Sequence, residues 1–315
     1  MSETESDVAV PERPGSEIET APPAGVEAPA ARHRVLKTYK LYVGGKFPRT
    51  ESGRYDRLLD EDGHTLANVC RASRKDFRDA VVAARAAQPG WVKASAYNRG
   101  QVLYRVAEML EGRSSQMVGE LETEGDERAT AEAEVAAAVD LLIGYAGWCD
   151  KVQQVFSTVN PVASSHFNFS LLEPTGVVAV LAPEAPGLLG LVGAVAPILV
   201  PGNTCVALAS PRHPLTAITF AEVLHCSDVP GGVVNLLTGR RDELLPHFAS
   251  HLDVNAVVVH GDDATERELV EREAVYNLKR VVFPEVAESA LPVHADPYAI
   301  LDTCEIKTTW HPIGS

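Results

Sequence analysis

EPTGVVAVLAPEAPGLLGLVGAVAPILVPGNT, residues 173–204, decides the fold of this chain. Residues 176–182 form a short Val-rich run, which is typical of a strand buried on both faces of a parallel sheet. An apolar helix is predicted over 188–200, and a Pro-Gly turn then leads into a second strand over 204–209. The stretch predicts a βαβ unit of a doubly wound sheet. No glycine-rich phosphate-binding fingerprint follows the first strand.

The chain downstream continues this alternation of helices and strands. Helices are predicted over 214–225, 242–250 and 264–277, and strands over 233–239, 255–261 and 279–283. Such alternation predicts an α/β fold, a Rossmann-like parallel sheet with helices on both faces. Residues 34–151 and 173–283 make up this predicted domain.

The first part of that domain contains two predicted hairpins and four predicted helices. The hairpins are centred on Gly44-Gly45 and on Asp62-Gly63. The helices form an N-terminal helical segment over 73–87, 96–111, 116–123 and 128–151. Ser73 is the expected N-cap of the first helix, with Asp76 completing a capping box, and Gly112 closes the second helix.

A different pattern, with a period of two, appears at 152–172. VQQVFSTV and HFNFSLL predict a hairpin with Phe167, Phe169 and Leu171 on one face. Residues 284–298 are loop-like, and CEIKTTW at 304–310 predicts one last strand. A hairpin outside the parallel sheet offers an edge for oligomerisation, although the chain's own elements could also cover it.

Charge and composition exclude some classes of partner. The formal net charge is −15, and no Lys/Arg cluster offsets it, which argues against nucleic acid and anionic membranes as partners. Five scattered cysteines without metal-binding spacing favour reduced thiols in the cytoplasm, and no metal site is expected. Residues 1–33 are acidic, with few large apolar side chains, so we expect a disordered tail.

Several motifs resemble the aldehyde dehydrogenase superfamily in order and spacing. They are YVGGKF (42–47), AVVAARAAQPGW (80–91), AGWCDK (146–151), EPTGVVAVLAP (173–183), APILVPGNT (196–204), HPLTA (213–217), GGVVNLLTG (231–239) and LKRV (278–281). The resemblance implies that 152–172 and 299–315 are oligomerisation strands, with Phe167, Phe169, Leu171, Ile306, Thr308 and Trp310 as candidate contact residues. It also implies that the family's catalytic domain is missing, replaced by a linker at 284–298.

The resemblance further identifies altered positions in the half that remains. Ala185 stands where the family has the asparagine that donates to the oxyanion, and alanine has no donor. Leu208 and Pro211 replace the lysine and glutamate that bind the cofactor ribose. At the pyrophosphate position the family's Gly-Ser is Gly261-Asp262, followed by Asp263, and either aspartate can cap the next helix in place of a phosphate. No cofactor is therefore expected. NAD(P) would be the cofactor only if the chain were an active aldehyde dehydrogenase.

Four other residues are of a type that could replace the lost catalytic groups. Cys304 falls in the terminal strand without an adjacent base, so it is not expected to be the nucleophile. Glu285 is not expected to act as the general base either. His247 and His251 share a helix face but lack the glutamate of a metalloprotease box. No catalytic residue is therefore expected.

The sequence is compatible with three functions. The leading hypothesis is a non-catalytic subunit that assembles with a full-length aldehyde dehydrogenase and supports or regulates it. An alternative is an NAD-dependent aldehyde dehydrogenase whose sites are shared across subunits. A second alternative is a homo-oligomeric scaffold or binding protein.

Overall fold

A five-stranded parallel sheet forms the centre of the computed structural model, which describes residues 36–60, 62–284 and 294–314. In the order β10-β9-β6-β7-β8, its strands are β6 (Val177–Leu181), β7 (Thr204–Leu208), β8 (Val234–Leu237), β9 (Ala256–Val259) and β10 (Arg280–Val282). Every residue of β6 to β9 is buried. Burial on both faces explains why these strands read as continuous apolar runs.

Helices cover both faces of this sheet. Those that follow its strands are α6 (Gly187–Leu199), α7 (Pro214–His225), α8 (Arg241–Ser250) and α9 (Ala264–Ala274). The N-terminal helices are α1 (Arg74–Lys93), α2 (Ala96–Glu111), α3 (Ser114–Thr123) and α4 (Arg128–Trp148). Within β6, Val178 and Val180 join the core beneath α2, α4, α6 and α7, whereas Val177 and Ala179 join the core beneath α1 and α8. The predicted doubly wound α/β fold is confirmed.

The N-terminal strands form a separate sheet of order β1-β3-β2, with β1 at Thr38–Tyr39, β2 at Tyr55–Leu59 and β3 at Thr65–Cys70. The hairpin predicted around Asp62-Gly63 is confirmed as β2 and β3. The hairpin turn predicted at Gly44-Gly45 is confirmed: Val43 and Lys46 exchange main-chain hydrogen bonds (2.9 and 3.0 Å), and the Leu41 amide donates to the Pro48 carbonyl at 3.1 Å. Its arms are short, and the preceding strand β1 pairs in parallel with β3. Tyr42 exchanges main-chain hydrogen bonds with Leu236 (2.9 and 2.8 Å), which completes the open edge of β8.

The capping box at the start of α1 is confirmed. Asp76 Oδ2 accepts from the Ser73 amide at 2.7 Å, and Ser73 Oγ accepts from the Asp76 amide at 3.3 Å. The helix runs on to Lys93, six residues beyond the predicted end at Ala87.

A third sheet, antiparallel throughout, contains β4 (Thr158–Asn160), β5 (His166–Pro174) and β11 (Cys304–Pro312) in the order β11-β5-β4, and we call it the arm sheet. The terminal strand pairs with β5 along its whole length, from Cys304 opposite Pro174 to Pro312 opposite His166. The hairpin prediction is therefore confirmed for its second strand and for the last part of its first strand.

The start of the predicted hairpin is wrong, since Val152–Phe156 forms the short helix α5. Gln153 on that helix donates from Nε2 to the Leu172 carbonyl (2.6 Å) and accepts the Leu172 amide through Oε1 (3.2 Å). These two bonds satisfy the main-chain groups of Leu172 that a neighbouring strand would otherwise pair with. Residues 152–156 can therefore form a helix.

Two of the predicted segment boundaries also change. Pro297–Leu301 forms helix α10, so the predicted linker at 284–298 and the predicted strand at 299–315 meet within a helix, and the strand begins at Cys304. Most of the linker, 285–293, lies outside the described residues, as does the predicted tail at 1–33.

Asn203 joins the parallel sheet to the arm sheet. Its Oδ1 accepts the Gly176 amide at 2.7 Å at the start of β6, and its Nδ2 donates to the Thr303 carbonyl at 2.8 Å just before β11. The side chain is fully buried. Within the ranges given above, no helix has the length and apolarity needed to cross a bilayer.

Candidate functional site

The carboxyl edge of the parallel sheet is where doubly wound folds bind their ligands. Here the loop after β6 is hydrogen-bonded to the loop after β7. Ser210 Oγ donates to the Glu184 carbonyl at 2.7 Å, and His213 Nδ1 lies 3.2 Å from the same oxygen. Ala185, at the predicted oxyanion position, is exposed in this loop and has no side-chain donor.

His213 is buried between elements that are far apart in sequence. Its Nε2 lies 3.3 Å from Asp126 Oδ2, while Nδ1 faces the Glu184 carbonyl. A Cβ on Gly187 would lie 2.4 Å from His213 Cγ, so only glycine fits at the start of α6. In the sequence this histidine stands out only as part of the HPLTA motif, and no local pattern indicates its contact with Asp126.

The N-terminus of α6 is occupied by a carboxylate from α4. Glu134 Oε1 accepts the amides of Leu188 at 2.6 Å and Leu189 at 3.0 Å. Only 3% of the Glu134 residue is exposed. Burial raises the pKa of this carboxyl group, and the two amide bonds oppose that rise.

The N-terminus of α7 is occupied in the same way by Glu124, from the loop after α3. Its Oε1 accepts the Leu215 amide at 2.5 Å, and Thr216 Oγ donates to Oε2 at 2.5 Å. Burial raises the pKa of Glu124 to about 8, and the hydrogen bonds from Thr216 and Leu215 oppose the rise.

The N-terminus of α9 is the position at which the family resemblance predicts a pyrophosphate. Asp263 caps it, as expected for one of the two aspartates, with Oδ1 accepting the amides of Thr265 at 2.8 Å and Glu266 at 3.3 Å. Bonds from Thr265 hold the pKa of Asp263 below its ordinary value. Asp262 is exposed beside it, and Gly261 adopts a left-handed φ of 124°.

An arginine ties this corner together. Arg241, at the start of α8, contacts Glu266 Oε2 at 2.7 Å and donates to the His260 carbonyl at 2.7 Å. Its guanidinium therefore connects the end of β9 with the first turn of α9. The donors of this arginine are directed at the protein itself.

The two predicted ribose positions carry no suitable groups. Leu208 packs inside the core with Val206 and Leu237, and Pro211 is exposed without a side-chain donor or acceptor. Across the described ranges, the first turns of α6, α7 and α9 are thus bonded to the chain's own carboxylates. These positions offer a ribose no side-chain donor and leave the first-turn amides of α9 bonded to Asp263.

The remaining candidates are structural. Cys304 is buried, its thiol donates to the Ile300 carbonyl at 3.2 Å, and burial raises its pKa to about 12, so it is no thiolate nucleophile. His251 packs edge-on against Phe77, and burial lowers the pKa of both His251 and His247. No group of three His, Cys, Asp or Glu side chains suited to a metal ion occurs in the part of the chain that the structure describes. Glu285 lies outside that part.

The six candidate contact residues of the arm sheet are divided between its two faces. Phe167, Phe169 and Leu171 share one face, with the rings of Phe167 and Phe169 5.4 Å apart. Ile306, Thr308 and Trp310 lie on the other face, because they oppose Leu172, Ser170 and Asn168 in the register.

A polar network, buried at Asn168 and Ser170, fills the centre of that second face. Asn160 Nδ2 donates to Asn168 Oδ1 at 2.6 Å and to Ser170 Oγ at 2.9 Å, and Ser170 Oγ lies 2.9 Å from Thr308 Oγ1. Ile306 and Trp310 flank this network with 69% and 58% of their surfaces exposed.

Comparison with known proteins gives a consistent result. The model of the aldehyde dehydrogenase family matches residues 48–298. Human cytosolic 10-formyltetrahydrofolate dehydrogenase is 29% identical over 278 residues, 86% of this chain and 31% of that protein. The 2-hydroxymuconic semialdehyde dehydrogenase of Pseudomonas sp. (strain CF600) is 31% identical over 271 residues, 83% of this chain and 55% of that protein.

Among solved structures, PnpE from Pseudomonas sp. WBC-3 is similar, with a TM-score of 0.74 and 28% identity over 78% of this chain and 50% of that one. PnpE has also been solved in complex with nicotinamide adenine dinucleotide. This chain thus spans under a third of the first relatives and about half of the solved structures. The family model covers most of its length, and the chain therefore belongs to the aldehyde dehydrogenase family.

Proposed function

We propose that this chain is a non-catalytic subunit that assembles through its arm sheet with a full-length aldehyde dehydrogenase and supports or regulates it. The observation that carries the proposal is the cap of α9. Asp263 already accepts the amides of Thr265 and Glu266 that a pyrophosphate would need. A phosphate would also be repelled at close range by the negative charges of Asp262 and Asp263.

The other altered positions support the same proposal. Ala185 offers no oxyanion donor, and removal of one such donor typically slows acyl chemistry by about 100- to 1,000-fold. Leu208 is part of the core, so its side chain does not reach a ribose. Only residues 283–296 connect β10 with α10, far fewer than the ~100 residues of a typical domain.

The arm sheet provides the surface for assembly. Phe167 and Leu171 are each 45% exposed on one face, and Ile306 and Trp310 are more exposed on the other. Exposed apolar side chains on a paired, regular sheet are typical of protein interaction surfaces. We therefore expect the partner to contact β5 and β11.

Co-expression tests the proposal. The chain is produced with a full-length aldehyde dehydrogenase from the same source, and tagged purification is followed by native mass spectrometry. We expect a mixed assembly, and its loss when Leu171→Asp is introduced into the arm sheet. The matched control is Leu252→Asp, an exposed leucine far from the arm sheet in sequence. Free chain with no affinity for such an enzyme would reject the proposal.

A calorimetric titration with NAD separates this proposal from the alternative of an NAD-dependent dehydrogenase with shared sites. The isolated chain should release no saturable heat at millimolar NAD, whereas the alternative requires binding. Recovery of aldehyde oxidation only in the mixed assembly, abolished by a variant of the enzyme's own catalytic residues, would assign the chemistry to the partner.

A further inference from the structure

The outer edge of β11 has no neighbouring strand within residues 36–60, 62–284 and 294–314. The strand is nine residues long, and its register with β5 continues without a bulge. Natural proteins usually protect such edges with bulges, prolines or several charges. In β11, Pro312 stands only at the end and Lys307 is the one lysine. The edge is therefore open for pairing.

The hydrogen-bonding direction of each residue on β11 follows from the two ends of the strand. The Ile313 amide donates to the Ser165 carbonyl, and the Thr303 carbonyl accepts from the Thr175 amide. Odd-numbered residues thus face β5, and because the direction alternates along a strand, the main chains of Ile306, Thr308 and Trp310 point outward.

We infer that this edge pairs with β11 of a second copy of the chain, antiparallel and centred on Thr308. A two-fold axis through Thr308 places Ile306 opposite Trp310 of the other copy, on the face where both side chains are exposed. On the other face it places Glu305 opposite His311 and Lys307 opposite Thr309. The Ile306–Trp310 pair is apolar, and the Glu305–His311 pair sets a carboxylate, which also contacts Arg280 at 3.2 Å, opposite an imidazole.

Neighbouring registers are less favourable. In a two-fold antiparallel pair, residues opposite each other must point to the same face of the sheet. The two-fold axis must therefore pass through a residue, and moving it to the next residue shifts every pairing by two positions. An axis at Lys307 sets two lysines directly against each other, a repulsive arrangement. An axis at Thr309 sets Lys307 against His311 and moves Glu305 opposite Ile313. Of the three registers, the one centred on Thr308 pairs Ile306 with Trp310 and keeps the two Lys307 side chains apart.

The dimer goes beyond the proposed function, because it is a property of the isolated chain. It uses the same strand as the proposed mixed assembly, so a full-length partner that pairs with β11 would displace the second copy. The two ideas can fail separately, since the dimer is measured with no other protein present.

Cysteine cross-linking tests the register. Odd-numbered residues of β11 would form non-hydrogen-bonded pairs across the axis, with Cα atoms about 4.5 Å apart, within reach of a disulfide. Lys307→Cys and Thr309→Cys chains are made in a Cys226→Ala background, because Cys226 is exposed and the other four native cysteines are buried. A mixture of the two should form a disulfide-linked dimer of twice the chain mass, while each variant alone should not. Cross-linking of either variant alone would overturn the register.

Sedimentation equilibrium tests the dimer itself. Thr308→Pro removes an outward amide that β5 does not use, so we expect a folded monomer, whereas the matched control Thr308→Val keeps the amide and should remain dimeric. Circular dichroism checks that both variants retain the fold. A wild-type chain that sediments as a monomer, with no cross-link in the mixture, would overturn the inference.

Discussion

Asp263 accepts a hydrogen bond from the Thr265 amide at 2.8 Å, so the chain itself caps the helix end that would otherwise bind an anion. The same arrangement recurs at the starts of α6 and α7, where Glu134 and Glu124 play this part. Three neighbouring helices thus use internal carboxylates at the ligand-binding edge of the sheet.

The cap on α9 should be measurable in the stability of the chain. Asp263→Ala removes the acceptor of two amides, and we expect a loss of about 0.5–2 kcal/mol in the free energy of unfolding. Asp262→Ala is the control, because Asp262 is exposed and makes no capping bond, and it should change stability by less than about 0.5 kcal/mol. Urea denaturation gives both values. Equal effects of the two variants would contradict the assignment of the cap.

Removal of both aspartates should make the edge more receptive to phosphate. The double variant Asp262→Ser with Asp263→Ser removes two negative charges and keeps a hydroxyl for capping. We expect affinity for inorganic pyrophosphate to rise severalfold, because two like charges that solvent partly screens are removed. Isothermal titration at fixed ionic strength measures this. An unchanged affinity would mean that another group blocks the edge.

Glu124 should make stability depend on pH. Its pKa rises from 4.5 to about 8 on folding, so the folded state holds its proton where the unfolded state has lost it. Its contribution is fully present below pH 4.5 and is lost as pH rises through 8, at about 1.4 kcal/mol per pKa unit. Glu124→Gln should flatten the decline in unfolding free energy between pH 5 and 8. The same slope in both proteins would show that other groups cause it.

Substitution of two phenylalanines should distinguish side chains needed for folding from those needed for assembly. Phe248 is fully buried and stacks on Phe77 with ring centroids 4.1 Å apart, so Phe248→Ala should cost about 3–5 kcal/mol of stability. Phe167 lies half exposed on the arm sheet, so Phe167→Ala should change stability far less while weakening capture of a full-length enzyme. Thermal denaturation and the co-purification assay provide the two readouts. A large stability loss from Phe167→Ala would place that ring in the core instead.

The sequence predicted those elements whose burial leaves a local pattern. Strands β6 to β9 were evident because a strand covered on both faces must be apolar throughout, and α7 was predicted with both of its ends correct. The turn at Gly44-Gly45 is predicted by its two glycines, whereas the pairing of Tyr42 with Leu236 beside it is not. Pairings between residues so far apart in sequence leave no periodic pattern.

The candidate site was harder to predict than the fold. Altered positions such as Ala185 and Leu208 could be recognised from the family resemblance. The carboxylates that occupy the helix ends could not, because Glu134 lies 54 residues from Leu188 and Glu124 lies 91 residues from Leu215. Only the tertiary fold brings these groups together, as it does His213 and Asp126.

The buried Asn203, which is bonded to both Gly176 and Thr303, ties the stability of the terminal strand to that of the central sheet. Because one side chain serves both sheets, we expect the arm sheet and the interior to unfold in a single cooperative step.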